Sequence, residues 1–402
     1  MKLKKQITYP LMLLAPVVVG LFLYFVVPEV FAAKYYTGKL VAQVVSTDTE
    51  APPLPKPKVI SHIRTPEVVK AIYMSSWAGG STSFRNKIIA LIDEKEINAV
   101  VLDVKDYTGR IAFKVNDPVL VATGAVENRI RDIDALIEEL HQKNIYIIGR
   151  VAVFQDEYYV EKHPNEAVKK KSDIAKNWTD NKGIHWVDAG SQNAWEYNAT
   201  IAKEAYSRGF DEINFDYIRF PADGNMKDIY FPISEGKSKS DVVTSFFAYL
   251  DTTFHPLGIP ISGDVFGMTT INTDDLGIGQ LFESALLHFD YVAPMVYPSH
   301  YYKGFNGYTD VNAHAYDVVK YSLDRAVVRV NALMADPTVP AESKARISVA
   351  QLRPWLQDFD YPVHYTAQMV QDQIKASGDA GIPSWMLWDP ANTYTASALL
   401  PE

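Results

Sequence analysis

The feature that most constrains the fold is a regular alternation of short apolar runs with amphipathic stretches. Apolar runs fall at 71–75, 99–104, 145–154, 212–216, 261–266, 291–297, 347–351 and 384–388. Apolar residues at helical spacing lie between them, over 84–94, 132–143, 194–207, 242–253, 278–288, 312–334 and 367–380. Near-continuous apolar strands are buried on both faces, which implies a parallel sheet covered by helices. Eight strand–helix units predict an α/β fold of the (β/α)8 TIM barrel type. An open doubly wound sheet would announce itself with a glycine-rich first turn, and Gly277-Ile278-Gly279 neither follows a strand nor has a third glycine. The body, residues 67–402, is longer than the roughly 250 residues of a bare barrel, so long βα loops are expected.

In a barrel the chemistry sits at the C-terminal strand ends. Those ends carry Trp77 after strand one; Asp103, Lys105 and Asp106 on strand two; Arg150 and Asp156 on and after strand three. Asp216, Tyr217 and Arg219 follow strand four, Asp264 lies on strand five, and Tyr297 and His300 end strand six. Arg353 and Trp355 follow strand seven, and Trp388 and Asp389 end strand eight. Carboxylates, arginines and aromatics at one mouth suit a sugar, whose C–H face packs on aromatic planes and whose hydroxyls meet charged hydrogen-bond partners. Glycosidic cleavage needs two carboxyl groups, one of them held protonated. Asp216 and Asp264, on adjacent strands, form the best-placed pair, Asp216 as nucleophile or base and Asp264 as general acid. Arg150 or Arg219 would supply the counter-charge for Asp216. Substrate contacts are expected from Trp77, Asp103, Lys105, Arg150, Asp156, Tyr217, Arg219, Tyr297, Trp388 and Asp389. Each also has a structural reading. A strand-end aspartate can simply cap a helix. Arg150 can pair with a structural carboxylate, and Trp178 and Trp186 can form a satellite core instead of sugar platforms. Trp195, on a helix among apolar neighbours, is expected in the core.

Other chemistries find no residues. The chain has no cysteine, which excludes disulfides, thiolate catalysis and Cys-ligated metals. None of its nine histidines forms an H-x-H or H-E-x-x-H group, so neither a metal nor a cofactor is expected beyond an oxygen-ligated cation. There is no G-x-S-x-G elbow and no P-loop. Charge divides the chain in two. Residues 1–66 hold eight Lys/Arg and three acids, and the remainder holds 31 and 45. The acidic body argues against a nucleic-acid partner.

The basic leader has its own reading. Lys2, Lys4 and Lys5 precede an uncharged apolar run from Leu11 to Val27. As a helix that run spans about 26 Å, longer than a usual signal-peptide core. We expect residues 1–36 to be a cytoplasmic tip and transmembrane signal anchor, with the body outside. A cleaved signal peptide is the rival, given Phe31-Ala32-Ala33. Residues 37–66, with Ala51-Pro52-Pro53-Leu54-Pro55-Lys56-Pro57-Lys58, read as an extended, semi-rigid linker.

Several stretches together resemble the DUF4015 family of glycoside-hydrolase-like domains. They are Ala71-Ile72-Tyr73-Met74-Ser75-Ser76-Trp77, Val100-Val101-Leu102-Asp103-Val104-Lys105-Asp106, the run from Glu212 to Pro221, the run from Tyr291 to His300, and Trp385-Met386-Leu387-Trp388-Asp389-Pro390. The most specific is Phe215-Asp216-Tyr217-Ile218-Arg219-Phe220-Pro221. The resemblance spans about residues 67–392 and implies a barrel with a carbohydrate role. The chain is also similar to amylase-type barrels in its strand-four aspartate. It departs from them at strand five, where Asp264 stands in place of glutamate, and this leaves Asp103 and Asp156 as alternative partners of Asp216. The expected function is hydrolysis of an envelope or extracellular polysaccharide. The alternative is a non-catalytic glycan-binding or envelope-assembly protein on the same scaffold.

Overall fold

A computed structural model describes residues 60–402. The expected anchor and most of the linker lie outside these residues. Among the described residues no helix is long and apolar enough to cross a membrane. The body from Val59 to Glu402 is one unit.

Its centre is a closed barrel of eight parallel strands: β1 (Lys70–Met74), β2 (Ala99–Lys105), β3 (Tyr146–Ala152), β4 (Glu212–Asp216), β5 (Ile261–Phe266), β6 (Tyr291–Met295), β7 (Trp355–Gln357) and β8 (Trp385–Trp388). Each pairs with its sequence neighbours, and β8 closes on β1 through Ala71 opposite Met386. Helices return the chain from one strand to the next. The helix Ile133–Gln142 shows how: Ile133, Leu136, Ile137 and Leu140 recur at helical spacing and all are buried. The helix Gln192–Arg208 starts where the Ser191 hydroxyl accepts the Ala194 N–H, and it ends at Gly209, whose φ of 116° lies in the left-handed region. The circuit departs from eight full units at its end, where β8 is followed by a short 3-10 turn, Ala396–Ala398.

Strand alternation divides the core in two. Outward residues such as Val100, Ile147, Ile213 and Phe215 join the helices in the larger cluster. Inward residues Ala71, Tyr73, Val101, Tyr146, Ile148, Ala293, Trp355 and Met386 fill the barrel. The seventh strand corrects the sequence reading. Residues 347–351 are not a strand, because Ser348 and Gln351 form a capping box around the 3-10 turn Val349–Gln351. The Gln351 amide then donates to the Leu286 and Phe289 carbonyls, and the barrel strand begins only after Pro354.

The long loops after β3 and β4 join in a small antiparallel sheet of Asp173–Asn177, Lys169–Lys170 and Ile229–Tyr230. Trp178 and Trp186 are buried beneath it, their indole N–H groups donating to the Asn225 carbonyl and to Asp180. Both belong to the large core cluster shared with the barrel and its helices, so they are neither a separate satellite core nor residues that line the cavity at the barrel mouth. Trp195 is buried on its helix, as expected.

Candidate active site

The polar face of β4 sets the floor of the site. Glu212, Asn214 and Asp216 alternate with Ile213 and Phe215, so a period of two turns all three into the barrel. Asp216 sits at the mouth end of this row. Arg150, one strand away, donates to its Oδ2 from Nε (3.1 Å) and Nη2 (2.5 Å), and to Asp103 Oδ1 from Nη1 (2.7 Å). One guanidinium therefore bridges two carboxylates, a geometry that its planar array of donors permits. Asp103 also accepts the Tyr73 phenol at 2.6 Å. Burial raises the Asp103 carboxyl, and the Arg150 charge opposes the rise.

Asp264 occupies a different environment. It is buried, and its Oδ1 accepts Asn214 Nδ2 (2.8 Å) and Trp355 Nε1 (2.9 Å). Burial first, and then the negative charge of Asp216, push its carboxyl well above the usual carboxylate range. The Tyr297 phenol, buried near both carboxylates, is likewise pushed well up by burial and so stays protonated. Two carboxyl groups of one cavity thus hold unlike surroundings, one against a cation and one among neutral donors. This is the division that acid–base chemistry requires.

Tyr217 follows with φ +53°, unusual for a bulky side chain, and its N–H donates to Asp216 Oδ1 at 2.6 Å. The turn ends β4 and sets the Tyr217 ring against Trp186, with centroids 5.8 Å apart. Arg219 lies over Phe266 at 4.5 Å and Trp186 at 4.9 Å.

Asp103, Arg150, Asp216, Tyr217, Arg219, Asp264 and Tyr297 line a cavity of about 1320 Å³ at the barrel mouth. Its walls are aromatic. Tyr73 stacks on Trp388 at 4.0 Å, Trp388 meets Trp355 edge-on at 5.4 Å, and the Arg150 guanidinium lies 5.0 Å from the Trp388 ring. At the rim Trp77 is 61% exposed, with one face over Arg129 at 4.6 Å. Tyr107 and Phe84 are exposed beside it. Gly267 is a fixed point of the wall, since a Cβ there would stand 2.4 Å from the Met295 carbonyl oxygen.

Of the expected site residues, Trp77, Asp103, Arg150, Asp216, Tyr217, Arg219, Asp264, Tyr297 and Trp388 line this cavity. Three do not. The β2–β3 register shifts between Asp103 and Lys105, which breaks the alternation and turns Lys105 into a buried ion pair with Asp156. Asp156 also caps the helix Glu157–Lys162 by accepting the Tyr159 N–H. Asp389 accepts the Ala391 and Thr393 N–H groups and so shapes the rim instead of facing the cavity. Arg353 pairs with Glu212, the first residue of β4, at the end of the strand away from Asp216. The sequence reading missed Asn214 and Tyr73. Both stand in barrel strands at an even spacing from Asp216 and Ser75, so the period of two was the signal for them. Among the described residues no group of three or more His, Asp and Glu side chains is arranged to hold a metal ion.

No curated protein matches the chain. It is similar to the crystal structure of a hypothetical protein from Ruminiclostridium thermocellum ATCC 27405, with 34% identity over 52% of this chain and 98% of that one, at a TM-score of 0.43. It shares its fold with the PgaB (BpsB) glycoside hydrolase domain from Bordetella bronchiseptica, with 10% identity over 81% and 95% of the two chains and a TM-score of 0.56. A chitinase from Chromobacterium violaceum ATCC 12472 is similar at 13% identity and a TM-score of 0.48, over 82% and 96%. Residues 71–394 match the family described as "Putative glycosyl hydrolase domain", and the chain therefore belongs to that family, DUF4015.

Proposed function

We propose that the chain is a glycoside hydrolase that cleaves a glycosidic bond in an extracellular or envelope polysaccharide. The observation that carries this reading is the pairing of Asp264, pushed well up by burial and by Asp216, with an Asp216 bound to Arg150. Asp264 Oδ1 is occupied by two neutral donors, so Oδ2 is the atom to carry the proton toward the glycosidic oxygen. Asp216 then acts on the sugar as nucleophile or as base for water. The test is product release from a polysaccharide panel by the full chain, wild type beside Asp216→Asn. Release by the wild type should fall by about 10³-fold or more in the variant. Equal release by both would remove Asp216 from catalysis, and binding without release would favour a glycan-binding protein.

Trp77 supports a polymeric substrate, because a large exposed aromatic at a cavity rim offers a platform to a sugar beyond the reacting one. Aromatic packing of this kind is worth about 0.5–1.5 kcal/mol. Trp77→Ala should therefore raise KM roughly 2–10-fold, with kcat and thermal stability unchanged. A fall in kcat at constant KM would place Trp77 in the chemistry instead.

We also propose that an N-terminal anchor holds the domain outside the membrane, on the strength of the lysines ahead of the apolar run from Leu11 to Val27. Expressed in bacteria, the chain should sediment with membranes, resist salt extraction, and be digested by protease added to spheroplasts. Protection in spheroplasts, with digestion only after lysis, would overturn the orientation.

A further inference from the structure

The charges lining the cavity are unequally committed. Arg150 serves Asp103 and Asp216, and Arg129 serves Asp106 (2.6 Å) and Glu127 (2.9 Å). Arg219 and Lys182 line the wall built by the loops after β3 and β4, and neither forms an ion pair among the described residues. The Lys182 side chain is exposed. Arg219 is half-buried and donates one bond, from Nη1 to the Phe220 carbonyl at 3.0 Å. The rings of Phe266, Trp186 and Tyr217 lie 4.5, 4.9 and 5.6 Å from the guanidinium carbon. No acid pairs with it directly, although Asp216, Asp223 and Asp180 lie near enough for their charge to favour the cation. Asp180 is occupied by Gln155, Trp186 and its own loop amides, Asp216 is held by Arg150, and Asp223 accepts the Asn181 N–H.

Aromatic rings cover the faces of a guanidinium and leave its edge as the part that can bind. Here Nε and Nη2 have no protein acceptor among the described residues. A half-buried cation with no directly paired counter-ion is costly to hold, and burial lowers its pKa even against the nearby acids. Neutral donors such as Asn or Gln would hold sugar hydroxyls at lower cost. An unpaired planar fork fits a carboxylate or a phosphate, which it grips through two parallel bonds. The body surrounding this wall carries a large acidic excess, so the two cations also supply the local attraction that an anionic polymer needs.

We propose that the glycan taken by this cavity carries an anionic substituent, a carboxylate or a phosphate ester, gripped by the Arg219 fork with Lys182 at the rim. This rests on the reading of the cavity as a glycan site. The test is calorimetric binding of the full chain to matched oligosaccharides: uronate hexamers against the same hexamers with carboxyls reduced to alcohols, and phosphorylated glucan oligomers against dephosphorylated ones. The anionic member of one pair should bind at least tenfold more tightly at low salt, and which pair does so identifies the anion. That preference should fall to twofold or less in Arg219→Gln, persist in part in Arg219→Lys, and weaken in Lys182→Gln, a change at an exposed side chain that leaves the fold intact. Equal binding of the members of every pair, an absence of binding by all of them, or a preference that survives Arg219→Gln would overturn the proposal. Bond cleavage is scored separately. Anion preference without cleavage removes the hydrolase reading and leaves the subsite. Cleavage without anion preference does the reverse.

Discussion

Asp264→Asn should abolish glycan hydrolysis, by about 10²–10⁴-fold in kcat/KM, and at the same time make the protein more stable at neutral and alkaline pH. Both effects follow from one environment. The asparagine side-chain oxygen can take the place of Oδ1 and keep the bonds from Asn214 Nδ2 and Trp355 Nε1, so packing is preserved. The removable proton is lost, and with it the general acid. The carboxyl is pushed well up by burial and by the Asp216 charge. Between the ordinary carboxylate value of the unfolded chain and the raised folded value, the folded protein holds more protons than the unfolded one, so stability falls as pH rises through that window. Asparagine removes this slope. Wild type and variant should therefore have similar melting temperatures near pH 4, with the variant melting higher at pH 8. The alkaline limb of the wild-type kcat/KM profile should report loss of the Asp264 proton. A variant within threefold of wild-type activity, or one melting lower at pH 8, would show that Asp264 is not a buried acid of this kind.

The same alternation that makes Asp264 an acid explains how far the sequence could be read. Apolar runs of five to ten residues separated by amphipathic helices specify a parallel barrel because few other arrangements bury both faces of every strand. The strand-end rule then found Asp216 and Trp388, the last residues of β4 and β8, and Arg150, two residues before the end of β3. It failed where local geometry overrides the count. Lys105 is two residues beyond Asp103 and should share its face, but a register shift sends it outward to Asp156. Ser348 and Gln351 satisfy each other and turn an apolar run into a 3-10 turn, and the seventh strand moves past Pro354. Asp389 looks identical in sequence to a cavity carboxylate, but two backbone N–H groups of the next turn claim it. Such outcomes rest on hydrogen bonds between residues whose spacing is visible but whose backbone angles are not. The unpaired state of Arg219 is further removed from the sequence, since it depends on what every neighbouring carboxylate is already doing.

Arg150→Met should be the most destabilising single change in the site. The arginine is buried, holds Asp103 at 2.7 Å and Asp216 at 2.5 Å, and lies over the Trp388 and Tyr73 rings. Methionine keeps much of the packing but leaves Asp103, Asp216 and Asp264 around one space with no cation among them. Breaking a buried ion pair by removing one partner costs about 3–5 kcal/mol, because the remaining charge stays buried. The loss should depend on pH. Burial already raises Asp103, and the Arg150 charge is the largest influence opposing that rise. Without it the folded carboxyl titrates still higher, so the folded state holds more protons than the unfolded one over a wider window and the deficit grows as pH rises. Unfolding by urea should therefore show the variant close to wild type near pH 4 and far below it at pH 8. Adding Asp103→Asn to Arg150→Met should restore part of the loss at pH 8, since it removes one of the orphaned charges, and the double-mutant cycle should give a coupling of at least 1 kcal/mol between the two positions. Arg150→Lys separates charge from geometry. It returns a cation but cannot bond both carboxylates through a planar fork, so it should recover stability while leaving hydrolysis depressed by 10²-fold or more. A deficit in Arg150→Met that stays below 1 kcal/mol, or that does not change with pH, would mean that the two aspartates do not need their counter-charge. The unlike environments of Asp216 and Asp264 would then require another source.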